Sequence, residues 1–214
     1  MSLSGREQIQ SRVKAAMRSA GGQEEAYAAL LRPYVRHGQR DEKARIELMI
    51  ERLREYDAEV VETKPEELRD AIASQLGASG RRVFVAPAGL PPEWLMAGFD
   101  WRIDRGLAHN EIEEAEGVVT TAFCGVADSG TIVLHHSPAE GRRVLTLLPD
   151  WHLCILRSSQ VVETLPEYFD RCANPATLAT YISGPSATAD IEMTRIKGVH
   201  GPRFLHVILV HDES

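Results

Sequence analysis

Cysteine is scarce in this sequence, and its spacing does not suit a metal site. The 214 residues include three cysteines, Cys124, Cys154 and Cys172, with no Cys-x-x-Cys pair. Structural zinc sites and iron–sulfur clusters take closely spaced cysteine pairs. We therefore expect no metal site and no cofactor in this chain, and small buried thiols in a reducing, cytoplasmic compartment.

The sequence also lacks long apolar runs and an excess of positive charge. No apolar stretch approaches the ~18 residues of a membrane helix, and the N-terminus has no apolar segment of a secretory signal. Lys and Arg together number 24 against 31 for Asp and Glu, a net charge of -7. Because nucleic-acid surfaces need clustered Lys and Arg, we expect neither a nucleic-acid partner nor a membrane span.

The common catalytic motifs are missing as well. HExxH, GxSxG, the Walker A pattern and GxGxxG do not occur, so the usual signs of zinc hydrolases, serine hydrolases, P-loop enzymes and nicotinamide enzymes are absent. The eight histidines show no metal-ligand spacing. His135 and His136 are adjacent, so on a strand they face opposite sides and at most one points into a site.

What the sequence contains is an alternation of short apolar runs with helical segments. This order predicts an α/β domain with a largely parallel sheet, and 43% hydrophobic residues are enough for a real core. Runs such as VFVAP (83–87) lack polar alternation, as is typical of strands covered on both faces. Two amphipathic helices, over 6–20 and from Asp41, precede the first strand. We predict an N-terminal helical extension over 1–56 and an α/β domain over 57–214.

The stretch CGVADSGTIVL (124–134) is the first candidate for a binding loop. Its glycines, with Gly130 in the Asp-Ser-Gly step, can free backbone N–H groups to face an anion, and Ser129 and Thr131 add hydroxyl donors. The alternative is a hairpin-like connection in which Asp128, Ser129 and Gly130 form the turn.

The stretch YISGPSATADIE (181–192) is the second candidate. Gly184 and Pro185 turn the chain, and Ser186 is predicted to cap a helix with Thr188 and Asp190 in its first turn. Such a helix N-terminus attracts anions. The alternative is a well-capped helix whose carboxylate only stabilises its own dipole.

The third candidate, KGVHGPRFLHVILV (197–210), carries His200 just before the last strand. Here the Gly-x-x-Gly-Pro pattern is more typical of a turn without any ligand.

Taken together, these motifs resemble the LUD domain family in its LutC/YkgG type. The series GVADSGTIVL (125–134), LLPDWHLCIL (147–156) and ISGPSATADIEMTRIKGVHGPRFLHVILV (182–210) follows the family pattern in order. Many members have Glu-Thr-Gly-Thr where this chain has Asp-Ser-Gly-Thr, which keeps the acid and the hydroxyl in type. Larger relatives carry a cysteine-rich ferredoxin-like part after this domain, so we expect this chain to be of the short, cluster-free type.

The resemblance implies a fold and a function. The fold is the NagB/RpiA/CoA-transferase-like arrangement, a mostly parallel sheet flanked by helices. The function is that of a subunit in L-lactate utilization, the oxidation of L-lactate to pyruvate, acting with partner proteins that carry iron–sulfur clusters. This chain itself is then a non-redox subunit.

The same motifs supply a hypothesis for the site. We expect the loops 125–131 and 183–190 to converge and to bind a small anionic ligand, a carboxylate or a phosphate. Two carboxylates that share a site push one pKa up, which suits acid–base work. The predicted catalytic residues are Asp128, Asp190 and Glu192. The predicted ligand-binding residues are Gly125, Ser129, Gly130, Thr131, Ser183, Gly184, Ser186, Thr188 and His200.

Two other functions stay open at this point. One is a stand-alone enzyme of the CoA-transferase or sugar-phosphate-isomerase kind, for which Glu140 or Glu192 would be the nucleophilic glutamate. The other is a non-catalytic assembly module that binds an anionic metabolite. Fold analogy alone does not decide between them.

Overall fold

The chain forms two units in the computed structural model. The structure describes residues 4–18, 27, 29–31, 33–172, 178–189, 195–197 and 201–212. The smaller unit, Met1–Tyr34, contains helix α1 (Gly5–Arg18), on which Ile9, Val13 and Met17 are exposed. The larger unit is Val35–Ser214.

The larger unit alternates strands with helices along the chain. Its helices are α2 (Glu42–Glu55), α3 (Leu68–Ala78), α4 (His109–Glu113) and α5 (Leu165–Arg171). Its strands are β1 (Glu59–Thr63), β2 (Val83–Pro87), β3 (Asp100–Asp104), β4 (Gly117–Thr121), β5 (Cys124–Val126), β6 (Thr131–Leu134), β7 (Trp151–Arg157), β8 (Val161–Val162), β9 (Thr180–Ile182), β10 (Ala187–Ala189), β11 (Arg195–Lys197) and β12 (Phe204–Val210). No helix in the described ranges has both the length and the apolar character needed to cross a bilayer.

A six-stranded sheet in the order β1-β12-β7-β4-β2-β3 organises the larger unit. Every neighbouring pair in it is parallel. Parallel strands need crossover connections, and α3 supplies one of these between β1 and β2, which are not neighbours in the sheet. The predicted α/β class with a mostly parallel sheet is confirmed.

Both faces of this sheet are covered, which explains why its strands lack polar alternation. On one face α3 packs Ile72 and Leu76 against Leu153 and Ile208. On the other face α2 and a second sheet pack against the alternate residues of β7 and β12. These alternate residues are Cys154, Leu156, Leu205, Val207 and Leu209.

Helix α2 belongs to the larger unit, although the sequence analysis assigned it to the extension over 1–56. Asp41 caps it, since its Oδ1 accepts a hydrogen bond of 2.8 Å from the Ala44 backbone N. Its apolar face is buried in the core through Ile46, Met49, Ile50 and Leu53. The observed division therefore comes earlier than the predicted boundary, because this face completes the core.

The second sheet has four strands in the order β8-β5-β6-β9. Strand β5 runs parallel to β8, and β6 is antiparallel to both β5 and β9. The sequence GVVTTAFCGVAD (117–128) predicts one strand that runs into a loop, but in the structure this stretch divides between two sheets. Its first part is β4 in the parallel sheet, and its second part is β5 in the second sheet.

Candidate functional site

Two of the predicted loops meet at the edge where β6 begins and β9 ends. Strands β6 and β9 pair antiparallel, with Ile132 opposite Ile182. Thr131 Oγ1 lies 2.7 Å from Ser183 Oγ and 2.7 Å from Ser129 Oγ. The structure thus joins three predicted ligand-binding residues in one chain of hydroxyl groups, which are already hydrogen-bonded to one another.

Helix α2 supports both loops through close contacts at two glycines. Gly130 has a φ of 58°, and a Cβ there would lie 2.7 Å from Arg52 Cβ. Gly184 has a φ of 89°, and its Cβ would lie 2.5 Å from Tyr56 Cβ. Only glycine suits both the left-handed backbone and the close approach. These two predicted binding residues therefore also seat the loops on α2.

The helix predicted to begin at Ser186 is wrong over the described residues. Ala187–Ala189 forms β10, which pairs antiparallel with β11. The backbone N of Ser186 donates to Pro202 O at 2.8 Å and so joins this loop to the turn before β12. The short hairpin satisfies backbone groups across strands, and Thr188 lies in a strand rather than in a first helical turn. The predicted helix dipole is therefore no basis for binding an anion at this position.

Asp128 lies in the 3₁₀ turn Ala127–Ser129 and is half-exposed. Its Oδ1 is 3.4 Å from Arg40 Nη1, and the same nitrogen lies 2.7 Å from Glu163 Oε1. The backbone N of Arg40 donates to Glu163 Oε2 at 2.7 Å. Asp128 is thus part of an ion-pair cluster that holds the segment before α2.

The other predicted residues divide into two groups. Gly125 is buried in β5, where a Cβ would lie 3.0 Å from Leu156 Cδ2 and 3.2 Å from Met49 Cε, so its surroundings are those of a packing residue. Asp190, Glu192 and His200 lie outside the described residues. The proximity of Asp128 to Asp190 therefore stays a prediction.

A cavity of about 210 Å³ lies beside Ser183, between the two sheets, where β7 and β12 begin. Three predicted residues line it: Ser183, Gly184 and Ser186. The other polar side chains of its lining are not among the residues predicted from the sequence. These are Arg143, Thr146, His152, Thr180 and Tyr181.

A chain of hydrogen bonds orients Arg143 at this cavity. Arg143 Nη1 donates to Thr180 Oγ1 at 2.7 Å, and His136 Nε2 lies 2.9 Å from the same oxygen. His136 Nδ1 lies 2.8 Å from Gly141 O, and because a carbonyl only accepts, Nδ1 carries the proton. In the neutral ring Nε2 then accepts from the Thr180 hydroxyl, whose oxygen accepts from Arg143. His136 holds this place with a φ of 57°, a strained backbone for a residue other than glycine.

His152 is a second polar side chain of the cavity wall. It is buried, and its Nε2 lies 2.8 Å from Thr120 Oγ1. Burial lowers the pKa of His152 to about 4, so the ring is neutral at pH 7. Burial also raises the pKa of the neighbouring Cys154 to about 12, so this thiol stays protonated. The wall on this side is therefore polar but uncharged.

The described residues contain no group of three His, Cys, Asp or Glu side chains placed to share a metal ion. Cys124 is also buried, and its burial raises the pKa of its thiol to about 11. Neither Cys124 nor Cys154 is thus a thiolate at neutral pH, the form that attacks substrates or binds metals.

Sequence reasoning missed Arg143 and His152 for different reasons. His152 is the one histidine inside the otherwise apolar run WHLCIL (151–156), which is a usable signal for a buried polar contact. Arg143 follows Arg142 in the segment EGRRVLTLLP (140–149), whose pattern predicts a short helix. Nothing local distinguishes the two arginines, because their partners lie far away in the chain.

Comparison with known proteins agrees with the motif series. The profile of the LUD domain matches residues 46–210. A lactate utilization protein C of Deinococcus radiodurans is 42% identical over 164 residues, which cover 75% of this chain and 76% of that protein. A lactate utilization protein C of Bacillus subtilis is 32% identical over 176 residues, 72% of this chain and 73% of that protein.

A solved structure supports the same assignment. The crystal structure of a DUF162 family protein from Deinococcus radiodurans aligns with a TM-score of 0.70 and 33% identity, over 80% of this chain and 99% of that one. The profile match alone begins inside α2 and ends with β12, so it spans the parallel sheet, the second sheet and the cavity. On these grounds the chain belongs to the LUD domain family.

Proposed function

We propose that this protein is a non-redox subunit of a system that oxidises L-lactate to pyruvate, together with partner proteins that carry iron–sulfur clusters. The observation that carries the proposal is the similarity, across three quarters of the chain, to a protein named lactate utilization protein C. The similarity includes the segments that build the cavity, since the domain match runs over 46–210.

The chemistry of the described residues is compatible with a non-redox role for this chain and with electron transfer in its partners. Oxidation of a 2-hydroxy acid releases two electrons, which iron–sulfur clusters are suited to accept. In this chain, burial raises the pKa of Cys124 and Cys154, so both thiols stay protonated. The part proposed for this subunit is therefore to bind and orient a small anion, with the electrons passing to its partners.

The CoA-transferase alternative is disfavoured by the surroundings of Glu140. This carboxylate is buried, and its Oε2 accepts a hydrogen bond from the backbone N of His135. Its Oε1 accepts from Ser137 Oγ at 2.8 Å. A nucleophilic carboxylate needs an oxygen that faces the substrate. Glu140 instead stabilises the turn before Arg142. Glu192, the other candidate, lies outside the described residues.

The metabolite-binding assembly module is the second candidate, and the cavity beside Arg143 is the observation that favours it. Such a module would bind a small anion without affecting turnover. The two candidates therefore differ in what the chain does inside a complex, and not in what its cavity binds.

The test is an anaerobic affinity purification of the tagged chain from its source cells. Bound iron and lactate-dependent reduction of a dye are measured in the purified material. The proposal predicts iron–sulfur partners and lactate-driven reduction, and also predicts that the isolated chain alone reduces no dye. A parallel purification from cells that express only the tag controls for proteins that bind the resin.

Two outcomes would contradict the proposal. A chain that purifies alone, without iron and without lactate-driven activity, would point to a stand-alone enzyme or a binding module. A complex whose lactate-driven activity is unchanged when this chain is deleted would point to the assembly module.

A further inference from the structure

We propose that the cavity beside Arg143 binds the carboxylate of a small 2-hydroxy or 2-oxo monocarboxylic acid. The guanidinium group of Arg143 is the anchor for the carboxylate. The choice of this acid class rests on the proposed function, whereas the carboxylate site itself is argued from the geometry.

The charge of the cavity suits one negative charge. Arg143 forms no ion pair within the described residues, and its hydrogen bond goes to the neutral Thr180. None of the described residues that line the cavity is an Asp or a Glu. His152 adds no charge because its ring is neutral. A single guanidinium matches a monoanion better than a phosphate dianion, and its planar fork matches a carboxylate.

The guanidinium is also held in place before a ligand arrives. It has five N–H groups, of which the bond to Thr180 uses one. The chain from Gly141 through His136 to Thr180 fixes where that bond points. An arginine that is already ordered loses less side-chain entropy when it binds a ligand. The strained backbone of His136 is a cost consistent with such preorganisation.

The remaining wall suits the rest of a short acid. His152 Nδ1 has no hydrogen-bond partner within the described residues, and Ser183 presents a hydroxyl at the rim. These groups can pair with a hydroxyl or oxo group on the carbon next to the carboxylate. Ile182 and Leu205 line the same cavity and offer apolar surface to a short alkyl group.

The size of the cavity limits the ligand. Its volume of about 210 Å³ lies below the roughly 300–1,000 Å³ of pockets that hold drug-sized ligands. A ligand with few heavy atoms therefore fits, and a nucleotide or CoA does not fit entirely within it.

Isothermal titration of the purified full-length chain tests the site, with L-lactate, pyruvate, acetate and inorganic phosphate as probes at one ionic strength. We expect lactate or pyruvate to bind more tightly than acetate, and phosphate to bind most weakly. Arg143→Gln is expected to weaken binding of the best probe at least about tenfold, the loss of a charge-assisted bidentate pair. Arg143→Lys keeps the charge without the fork and is expected to fall between the two.

Lys43→Gln is the matched control. It also removes one positive charge, and Lys43 is an exposed residue of α2, 3.9 Å from Glu47. We expect it to change affinity less than about twofold, since exposed charges are screened. Equal losses in Lys43→Gln and Arg143→Gln would show a general charge effect and would overturn the proposal. Failure of every probe to bind at millimolar concentration, or tightest binding of phosphate, would also overturn it.

The same variants separate this inference from the proposed function. Arg143-dependent carboxylate binding in a chain that purifies without iron–sulfur partners would support the site and contradict the subunit role. A complex that keeps full lactate-driven reduction with Arg143→Gln would support the subunit role and contradict the site.

Discussion

The two faces of the parallel sheet differ in polarity. The apolar face stabilises the fold, and the more polar face contains the candidate binding site. The face under α3 is mainly apolar and aromatic, with the rings of Phe84 and Trp151 at 5.7 Å between centroids, and its polar pair, His206 and Gln75, is only partly buried. The face under α2 and the second sheet contains the buried His152–Thr120 pair and opens into the cavity. Buried polar groups are costly unless they are paired. A fully buried polar pair beside a cavity is therefore a better indication of a site than any single loop.

Two adjacent arginines show the same contrast at the level of side chains. Arg142 makes two bonds to Asp104, at 2.8 and 2.7 Å, and this pairing lowers the pKa of Asp104. Arg143 makes its bond to Thr180 and lines the cavity. The first arginine therefore joins two parts of the fold, and the second is available to an anion.

The largest expected effect comes from the apolar face. Ile72→Ala removes a fully buried side chain of α3 and is expected to lower the free energy of unfolding by about 2–5 kcal/mol. Chemical denaturation measures this, and Leu165→Ala, at a side chain with 44% exposure, is the control expected to cost less than about 1 kcal/mol. Carboxylate affinity of the folded Ile72→Ala chain should not change. A loss of affinity there would contradict the separation of the two faces.

The next effect is a pH dependence that belongs to the polar face. The pKa of His152 is lowered from 6.5 to about 4, so the unfolded chain binds more protons between these values and stability falls as the pH falls. This loss of stability is about 3 kcal/mol at most, and it is complete below pH 4. Above pH 6.5 His152 causes no such loss.

The double variant Thr120→Val/His152→Leu isolates this contribution. Free energies of unfolding at a series of pH values should decline less steeply below pH 6.5 in the variant than in the wild type. Burial also lowers the pKa of His135 and His206, but these two groups are present in both proteins and cancel in the difference. Parallel curves for the two proteins would show that His152 is not buried in its neutral form.

A smaller effect is expected where the loops lie on α2. Gly184→Ala combines a left-handed backbone with a Cβ 2.5 Å from Tyr56 Cβ, and we expect a cost of about 1–3 kcal/mol. Gly80→Ala has a similar φ of 69° with open space around the Cβ, so the difference between the two variants measures the contact alone. Equal costs would contradict the close packing of this loop on α2.

The smallest effect concerns the hydrogen bond from Arg143 to Thr180. Thr180→Val removes the hydroxyl that orients Arg143 and is expected to weaken carboxylate binding about two- to tenfold. Thr180→Ser keeps the hydroxyl and should restore the affinity, which a merely steric role of Thr180 would not require. Titration calorimetry with pyruvate measures both variants.

Much of the parallel sheet could be predicted from the sequence because its strands are continuous apolar runs between turn residues. WHLCILR and FLHVILV match β7 and β12 residue for residue. The apolar face of α2 was also predicted, because four buried residues recur at helical spacing. These signals are local, and burial on both faces makes them strong.

The errors occur where a distant partner decides the structure. The sequence SSQVVETLPEYFDRC (158–172) predicts one helix with a serine cap, but α5 begins at Leu165 with Thr164 as its cap. Pro166 fits only the first turn of a helix, which is where the structure has it. Ser186 precedes a strand, because Ala187–Ala189 finds a partner in β11. The cavity could not be predicted, because Arg143, His152 and Ser183 meet only when two sheets pack.

A crystal structure of the chain with pyruvate would show whether the cavity beside Arg143 is the carboxylate site. We expect the carboxylate on the guanidinium group of Arg143, with the oxo group toward His152 and the methyl group against Ile182 or Leu205. Pyruvate bound instead at the Ser129–Thr131 loop, or a cavity without pyruvate in a crystal saturated with it, would contradict the assignment of this cavity as the carboxylate site.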